Sequence, residues 1–503
     1  MSSVSMSYTT TTPMESRNQI GIVDFLKGKN YLITGATGFV AKVLVEKILR
    51  SVPNVRKIYL LIKAKDERTA MKRLRKEITE TQLFMVLKQI HGVYYEDLVM
   101  NKLIPVVGDI REPSLGMDAS LATMIAKEVD VIINSAADTT FIQRYDISLN
   151  LNTKGPFHLM GFANKCRKLC LLLHVSTAYV NGNRQGIVLE KPFKMGQTLA
   201  EEMVTSKTPT MPPPVLDINA EMKIASDFLK SLPDDNEVHQ KMINLGSERA
   251  RIFGWTNVYV FTKAMGEMII DNMRGDIPVV IIRPSTIEST VKEPFPGWIQ
   301  GYRVLEPVLM AIGRDELREF IGDPKVVLDI IPVDLVVNAI IAAMAKHGRA
   351  SKPELKVYQM TSGVVNPFEF QDIFETTRKH FASYPLVDSQ GKKIIGLRRM
   401  KFMSSVDSYS SYMRLTYPND NMVKRNIRMA KVYEPFMFYK GLFDNGNIIK
   451  LMDEMSAEEM KNFDFDVRRI DWEYYFSHIH IPGIRRHAYK ETLVIVQMTN
   501  AKL

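Results

Sequence analysis

Tyr259 and Lys263 stand four residues apart in Trp255-Thr-Asn-Val-Tyr-Val-Phe-Thr-Lys-Ala-Met-Gly-Glu267. On a helix that spacing puts both side chains on one face, a turn apart. A buried phenol beside an ammonium ion is expected to titrate low, because the cation favours the phenolate. Tyr259 is thus a candidate proton donor near neutral pH. A second source of hydroxyls is His174-Val-Ser176-Thr177-Ala-Tyr-Val180, at the end of an apolar run. A hydroxyl there can hold a carbonyl oxygen as charge builds on it. The ordinary alternative for each hydroxyl is a local turn or cap bond.

A third group of residues has the spacing of a phosphate-binding turn. Tyr31-Leu-Ile-Thr-Gly35-Ala36-Thr37-Gly38-Phe39-Val40-Ala41 follows an apolar strand and opens a helical stretch. The glycines let the backbone turn tightly against a pyrophosphate, and the helix N-terminus supplies N–H donors. Within a βαβ unit this predicts a dinucleotide site. The second strand runs into Lys63-Ala64-Lys65, with Arg68, Lys72 and Arg73 beyond. A cation there suits a ribose 2′-phosphate, so NADPH is the expected cofactor. Val107-Gly-Asp109-Ile110 places Asp109 near the adenine. Asn134-Ser135-Ala136-Ala137 offers small residues where the chain passes the cofactor. Lys263 is also placed to bond the nicotinamide ribose.

The elements that must position these residues alternate in type. Apolar runs at 31–33, 58–62, 102–107, 131–133, 171–175 and 279–282 read as strands covered on both faces. Helical spacing separates them, as in Ala41–Arg50. Alternating βα order predicts an α/β fold with a doubly wound parallel sheet. Arg184–Arg251 interrupts the rhythm, with a Pro-rich stretch at 209–214 and a helical segment over Asp217–Leu232. After about Val365 the βα rhythm fades. The expected organisation is a flexible Ser/Thr-rich tail (1–20), a nucleotide-binding catalytic domain (21–364, with the insertion 184–251) and a smaller, mainly helical C-terminal domain (365–503).

Composition narrows the class. The chain has 503 residues, 46% hydrophobic and 24% charged, which excludes disorder over most of its length. Two cysteines, Cys166 and Cys170, exclude a disulfide framework and suit a reducing compartment. The most apolar stretch, Leu335–Ala345, is far shorter than the about 20 residues needed to span a bilayer and contains Asn338, so it reads as a buried helix. Eight of the first twelve residues are Ser or Thr and no acidic residue precedes Glu15. A plain tail is preferred there over a plastid leader. Of the net charge of +10, +8 falls between Gly391 and Lys431, where ten basic residues meet only Asp407 and Asp420. Interleaved apolar residues there, such as Ile394, Ile395, Leu397 and Met400, fit peripheral contact with an anionic membrane. A polyphosphate ligand or a plain solvated face are the other readings. No nucleic-acid motif accompanies the charge, and no metal ligands are assigned.

Fingerprint, strand-end hydroxyl and Tyr/Lys pair, in this order, resemble the extended short-chain dehydrogenase/reductase superfamily. The resemblance implies Thr177, Tyr259 and Lys263 as the catalytic set, with Ser176 the second choice for the hydroxyl. It implies cofactor contacts at Gly35, Ala36, Thr37, Gly38, Phe39, Val40, Lys63, Asp109, Ile110, Ala136, Lys263 and Pro284. Longer runs are similar to the plant alcohol-forming fatty acyl-CoA reductases: Val175-Ser-Thr-Ala-Tyr-Val180, Glu190-Lys-Pro, Tyr259-Val-Phe-Thr-Lys263, Ile282-Arg-Pro-Ser285, Lys292-Glu-Pro-Phe-Pro-Gly-Trp298 and Trp472-Glu-Tyr-Tyr-Phe. That family implies NADPH-dependent reduction of a long- or very-long-chain acyl-CoA, through an aldehyde, to a primary alcohol. It implies a cytoplasmic enzyme or one peripheral to the endoplasmic reticulum, with a plastid location the lesser expectation. Tyr412–Val432 is shorter and more polar than the corresponding family region, and the first 13 residues precede the family's expected start. Two other readings share part of the signature: a reductase or epimerase of sugar nucleotides, and an NADPH-binding scaffold without activity.

Overall fold

The computed structural model describes residues 19–202, 214–233, 237–388, 390–418 and 422–489. The Ser/Thr-rich stretch lies outside these but for its last two residues, as does the Pro-rich stretch but for Pro214. Seven strands form one parallel sheet: β1 (Asn30–Thr34), β2 (Lys57–Ile62), β3 (Leu103–Val107), β4 (Val131–Asn134), β5 (Leu171–Val175), β6 (Val279–Pro284) and β7 (Leu355–Met360). Their order is β7-β6-β5-β4-β1-β2-β3. The chain reverses its direction of travel across the sheet between β1 and β4, which is where such sheets open a ligand crevice at their C-terminal ends. The first six strands coincide with the apolar runs. Packed helices bury both faces, so β1 and β4 are buried at every residue.

β7 was not expected, because Lys356 and Gln359 break its apolar pattern. Gln359 is fully buried yet satisfied. Its amide donates to Val188 O (2.9 Å) and Asp444 O (2.8 Å), and its oxygen accepts from Asn181 (2.8 Å). A polar clamp thus stands where the pattern called for a hydrocarbon.

Helix α1 (Phe39–Ser51) follows the glycine turn, and α2 (Val258–Met273) carries the Tyr/Lys pair. Asn257 caps α2 by accepting from Val260 N (3.1 Å). Two features fix how α2 meets the sheet. Glu267 and Arg283 of β6 form a bidentate pair (3.1 and 2.5 Å) with both side chains inaccessible to solvent, and Arg283 also donates to Lys191 O. A Cβ at Gly266 would come within 2.3 Å of Asn152 O, so only glycine permits this approach.

Beyond these lie α3 (Glu306–Gly313) and α4 (Val333–His347). The apolar run at 335–345 forms the middle of α4 and is buried. Asn338, its polar member, donates to Asp464 O (2.8 Å). Among the described residues, no helix is long and apolar enough to cross a membrane. Among the described residues after Val365, no strand joins the main sheet. Short strands at 401–403 and 441–443 pair instead with 319–321 and 186–188. The principal helices here are α5 (Phe370–Ser383) and α6 (Met422–Met437).

The Glu-Pro-Phe-Pro-Gly-Trp run is a brace. Asp334 accepts from the backbone N–H groups of Val291, Lys292 and Glu293 (2.8–2.9 Å). Burial would raise the Glu293 carboxyl, but Lys47 and Arg50 of α1 outweigh it and hold Glu293 below its ordinary value. Trp298 packs on Phe39 at the start of α1, with ring centroids 5.5 Å apart. At Gly297 a Cβ would lie 2.8 Å from Ile479 O. The loop therefore ties the nucleotide-binding helix to the C-terminal segment.

Candidate active site

A cleft of about 880 Å³ opens beside the C-terminal ends of the strands. Gly38, Phe39 and Val40 line it from the glycine turn, Ser176 and Thr177 from the end of β5, Tyr259 and Lys263 from α2, and Pro284 from β6. Residues separated by more than 200 positions in the chain thus meet on one surface.

Gly35 has φ +66°, and an added Cβ would lie 2.7 Å from the backbone of Ser135 and Ala136. The ends of β1 and β4 touch there, and only glycine allows it. Gly38 caps α1 with no side-chain bond, which leaves the first-turn N–H groups directed at the cleft. Thr37 offers its carbonyl to Gln300 at 3.5 Å, and Ala36 is buried. Lys63 and Asp109 extend the ends of β2 and β3 and pair at 3.3 Å. Arg111 binds Asp109 more closely (2.6 Å) and is the main reason its carboxyl falls to about 2. The Asp109 charge is therefore shared by two cations. The Ile110 side chain is buried in the core beside Gly155 and is not among the residues lining the cleft.

Thr177 and Tyr259 face the same cleft, the Thr177 hydroxyl near enough to the phenol to influence its titration. Thr177 also accepts from Tyr179 N (3.3 Å), capping the turn that follows β5. The cap bond and a place on the cleft wall coexist. The Ser176 hydroxyl is buried and has no partner among the described residues. The expected depression of the Tyr259 phenol is not found. Burial raises it well above the ordinary value, and the Thr177 hydroxyl only partly opposes this. The Lys263 ammonium is engaged elsewhere. It donates to Val175 O (2.8 Å) and lies 3.1 Å from Nε2 of His174. Burial lowers Lys263 to about 8.

By sequence, His174 has no role of its own and Asn134 lies only within the segment that passes the cofactor. They are register partners on β5 and β4, with Asn134 Nδ2 at 3.0 Å from His174 Nδ1. Thr34 of β1 donates to Asn134 Oδ1 (2.6 Å). Burial, then the nearby Lys263 and Arg283 charges, hold His174 far below its ordinary value, so the ring is neutral. A line of polar side chains thus runs from β1 beneath the glycine turn to Lys263. The signal was a histidine inside Leu171-Leu-Leu-His-Val, since a polar group in a doubly covered strand needs a partner.

The far wall of the cleft is aromatic and aliphatic: Phe320, Phe370, Phe374, Tyr433, Phe436 and Met437. Phe141 lies between Tyr259 (6.1 Å) and Phe436 (5.2 Å). Neither cysteine lines the cleft, and burial pushes the Cys166 thiol up to about 12, as expected for packing residues.

Strand order, glycine turn and the hydroxyl–tyrosine–lysine group define a nicotinamide-dinucleotide-binding reductase of the extended short-chain dehydrogenase/reductase fold. Among solved structures, the terminal reductase domain of a myxalamid synthase superposes with a TM-score of 0.60 at 18% identity, covering 92% of this chain and 91% of that one. Two family models, both described as "Male sterility protein", match residues 33–340 and 409–491. "Fatty acyl-CoA reductase 2, chloroplastic" of Arabidopsis thaliana is 48% identical, over 94% of this chain and 80% of its own length. The "Alcohol-forming fatty acyl-CoA reductase" of Simmondsia chinensis is 39% identical, over 93% and 98%. The chain belongs to the fatty acyl-CoA reductase family.

Proposed function

We propose that the protein reduces long- or very-long-chain acyl-CoA to a primary alcohol with NADPH. The observation that carries this reading is one cleft in which Thr177, Tyr259 and Lys263 face both a dinucleotide turn and an apolar wall. The residues fit the nucleotide: Gly35 and the α1 N-terminus would hold the pyrophosphate, and Lys263 the nicotinamide ribose. Net positive charge at Lys63, Arg111 and Asp109 favours a 2′-phosphate. When bound, the dihydronicotinamide supplies hydride for both reductions.

In each reduction the carbonyl oxygen gains negative charge, which the Thr177 hydroxyl and Tyr259 phenol would hold. A phenol raised by burial stays protonated until that oxygen is basic enough to take its proton. From the thioester, C–S cleavage then releases the CoA thiolate and an aldehyde. From the aldehyde, Tyr259 protonates the alkoxide. Lys263, bonded to Val175 O, is held on the cofactor side of Tyr259 and supplies positive charge there. The division at about residue 365 is part of this proposal, with the later residues supplying most of the acyl-binding wall.

The basic segment is proposed as a peripheral contact with anionic membrane or with the CoA phosphates. All ten of its basic residues are exposed. Most of the interleaved apolar residues face inward, Leu397 and Met413 being buried, whereas Ile395 is 74% exposed. Electrostatics rather than insertion would therefore dominate. Changing Lys392, Lys393, Arg398 and Arg399 together to Glu should weaken liposome binding or raise the acyl-CoA KM; no change in either removes the proposal.

The deciding assay follows NADPH oxidation with acyl-CoAs of graded length while extracted lipids are analysed. Fatty alcohol at two NADPH per molecule is expected. Turnover of sugar nucleotides instead of acyl-CoA overturns the reading.

A further inference from the structure

Three buried side chains outside the Thr177–Tyr259–Lys263 group converge at the cleft wall. Glu288 ends the short strand 286–288, Glu306 opens α3, and His480 comes from the C-terminal helical run. They are 1%, 5% and 0% exposed, and one ligand atom from each lies within 4.8 Å of the others. Among the described residues no lysine or arginine side chain forms an ion pair with either glutamate. Arg303 reaches Glu306 through its backbone N–H (2.9 Å).

The hydrogen bonds around His480 fix its proton. The Tyr475 hydroxyl donates to Ser289 O (2.7 Å), so the Ser289 hydroxyl, 3.1 Å away, is the donor in its contact with Tyr475. Ser289 Oγ must then accept from His480 Nδ1 at 3.0 Å. The neutral ring is left with a bare lone pair on Nε2. That atom has no hydrogen-bond partner and points at Glu288 Oε2, also unpartnered, 3.2 Å away. Two carboxyl groups and one imidazole nitrogen thus face one another with only the Arg303 backbone N–H as a donor, an arrangement that is costly in a buried site unless protons or an ion fill it.

We propose that Glu288, Glu306 and His480 form a binding site for a divalent metal ion of the zinc type. One such ion balances both carboxylate charges and takes a lone pair from each residue. Mixed imidazole and carboxylate donors suit zinc. The Ser289–Tyr475 relay orients the imidazole as outer partners do in metal sites. Both glutamates also line the cleft, which gives an ion a route in. The ion would fasten the C-terminal segment, through His480, to the wall of the reductase domain. No local motif announces the site, because its ligands lie at positions 288, 306 and 480.

The test uses the full-length, untagged protein purified without chelator. Elemental analysis should find about one equivalent of metal. After stripping with dipicolinate, zinc titration should restore one equivalent and raise the melting temperature, and cobalt(II) should give a visible absorption band. Glu288→Gln, Glu306→Gln and His480→Gln should each weaken zinc binding by at least about tenfold. Stripped wild-type protein that is folded by circular dichroism but binds neither zinc nor cobalt overturns the proposal, since protons alone would then satisfy the cluster. Wild-type affinity in the variants overturns it equally. None of these readouts depends on reductase turnover.

Discussion

Gly35→Ala adds one methyl group at the tightest point of the nucleotide turn. The position has φ +66°, a left-handed conformation that costs an L-residue about 1–2 kcal/mol. The new Cβ would lie 2.7 Å from Ala136 N, Ser135 C and Ser135 O. All three are backbone atoms at the end of β4, so no rotamer change relieves the clash, and overpacking of this kind costs about 1–3 kcal/mol. Together the penalty is about 2–5 kcal/mol. It can be relieved only by parting the turn from β4, which moves the N–H groups that face the pyrophosphate. At about 1.4 kcal/mol per tenfold, the lower bound corresponds to a roughly 30-fold loss of NADPH affinity. Gly38→Ala is the control. Its φ is −78° and its Cβ would meet only Gly35 O, at 3.0 Å. The assay pairs thermal melting without nucleotide with NADPH titration by fluorescence. Gly35→Ala should melt lower and bind at least 30-fold more weakly, whereas Gly38→Ala, as a control for melting alone, should stay close to wild type in stability. Unchanged melting and affinity in Gly35→Ala would refute both the contact and the placement of the cofactor.

Three further outcomes follow from the site. Tyr259→Phe removes only the phenol oxygen, so turnover should fall by about 10²–10⁴ while the NADPH Kd stays within about twofold; an active variant would remove Tyr259 from the chemistry. Lys263, lowered by burial from 10.5 to about 8, loses its charge as pH rises through that value. An alkaline limb near pH 8 should therefore appear in kcat/KM and change in Lys263→Met. Between about pH 8 and 10.5 the unfolded chain holds this proton and the folded one does not, so this residue makes stability rise with pH over that window, a slope that Lys263→Met should abolish in denaturant titrations. Glu267→Gln leaves Arg283 buried and unpaired, and should cost about 3–5 kcal/mol in denaturant unfolding; a change below about 1 kcal/mol would mean that the pair does not anchor α2.

What the sequence disclosed depended on how local each constraint was. Six strands were legible because a strand covered on both faces must be a continuous apolar run, as in Ile58-Tyr-Leu-Leu-Ile62. β7 was not, because Gln359 is satisfied by Val188, Asp444 and Asn181, all remote in sequence. The spacing of Tyr259 and Lys263 correctly put them on one helix. It did not reveal that Lys263 turns to His174 and Val175 O, so the expected influence on the phenol was wrong in sign. Burial is a property of the assembled fold, and here it is what raises the phenol. For Ile110, motif position suggested a ligand contact, and the fold adds that its side chain is committed to the core beside Gly155.

The residues after 365 are part of the cleft. Tyr259, Phe141, Phe436 and Tyr179 form a run of ring contacts, each 5.2–6.1 Å from the next. Its third member belongs to α6, and α6 carries the basic residues Lys424, Arg425, Arg428 and Lys431 on its exposed side. One helix therefore presents Phe436 and Met437 to the cleft and cations to the surroundings. A substrate with an apolar chain and a polyphosphate head has the same division. The brace at Lys292–Trp298 holds the C-terminal segment against the nucleotide-binding helix through Glu293, Gly297 and Trp298. A displacement of that segment would thus reach both the glycine turn and the ring beside Tyr259, because the two regions of the chain share one cleft wall.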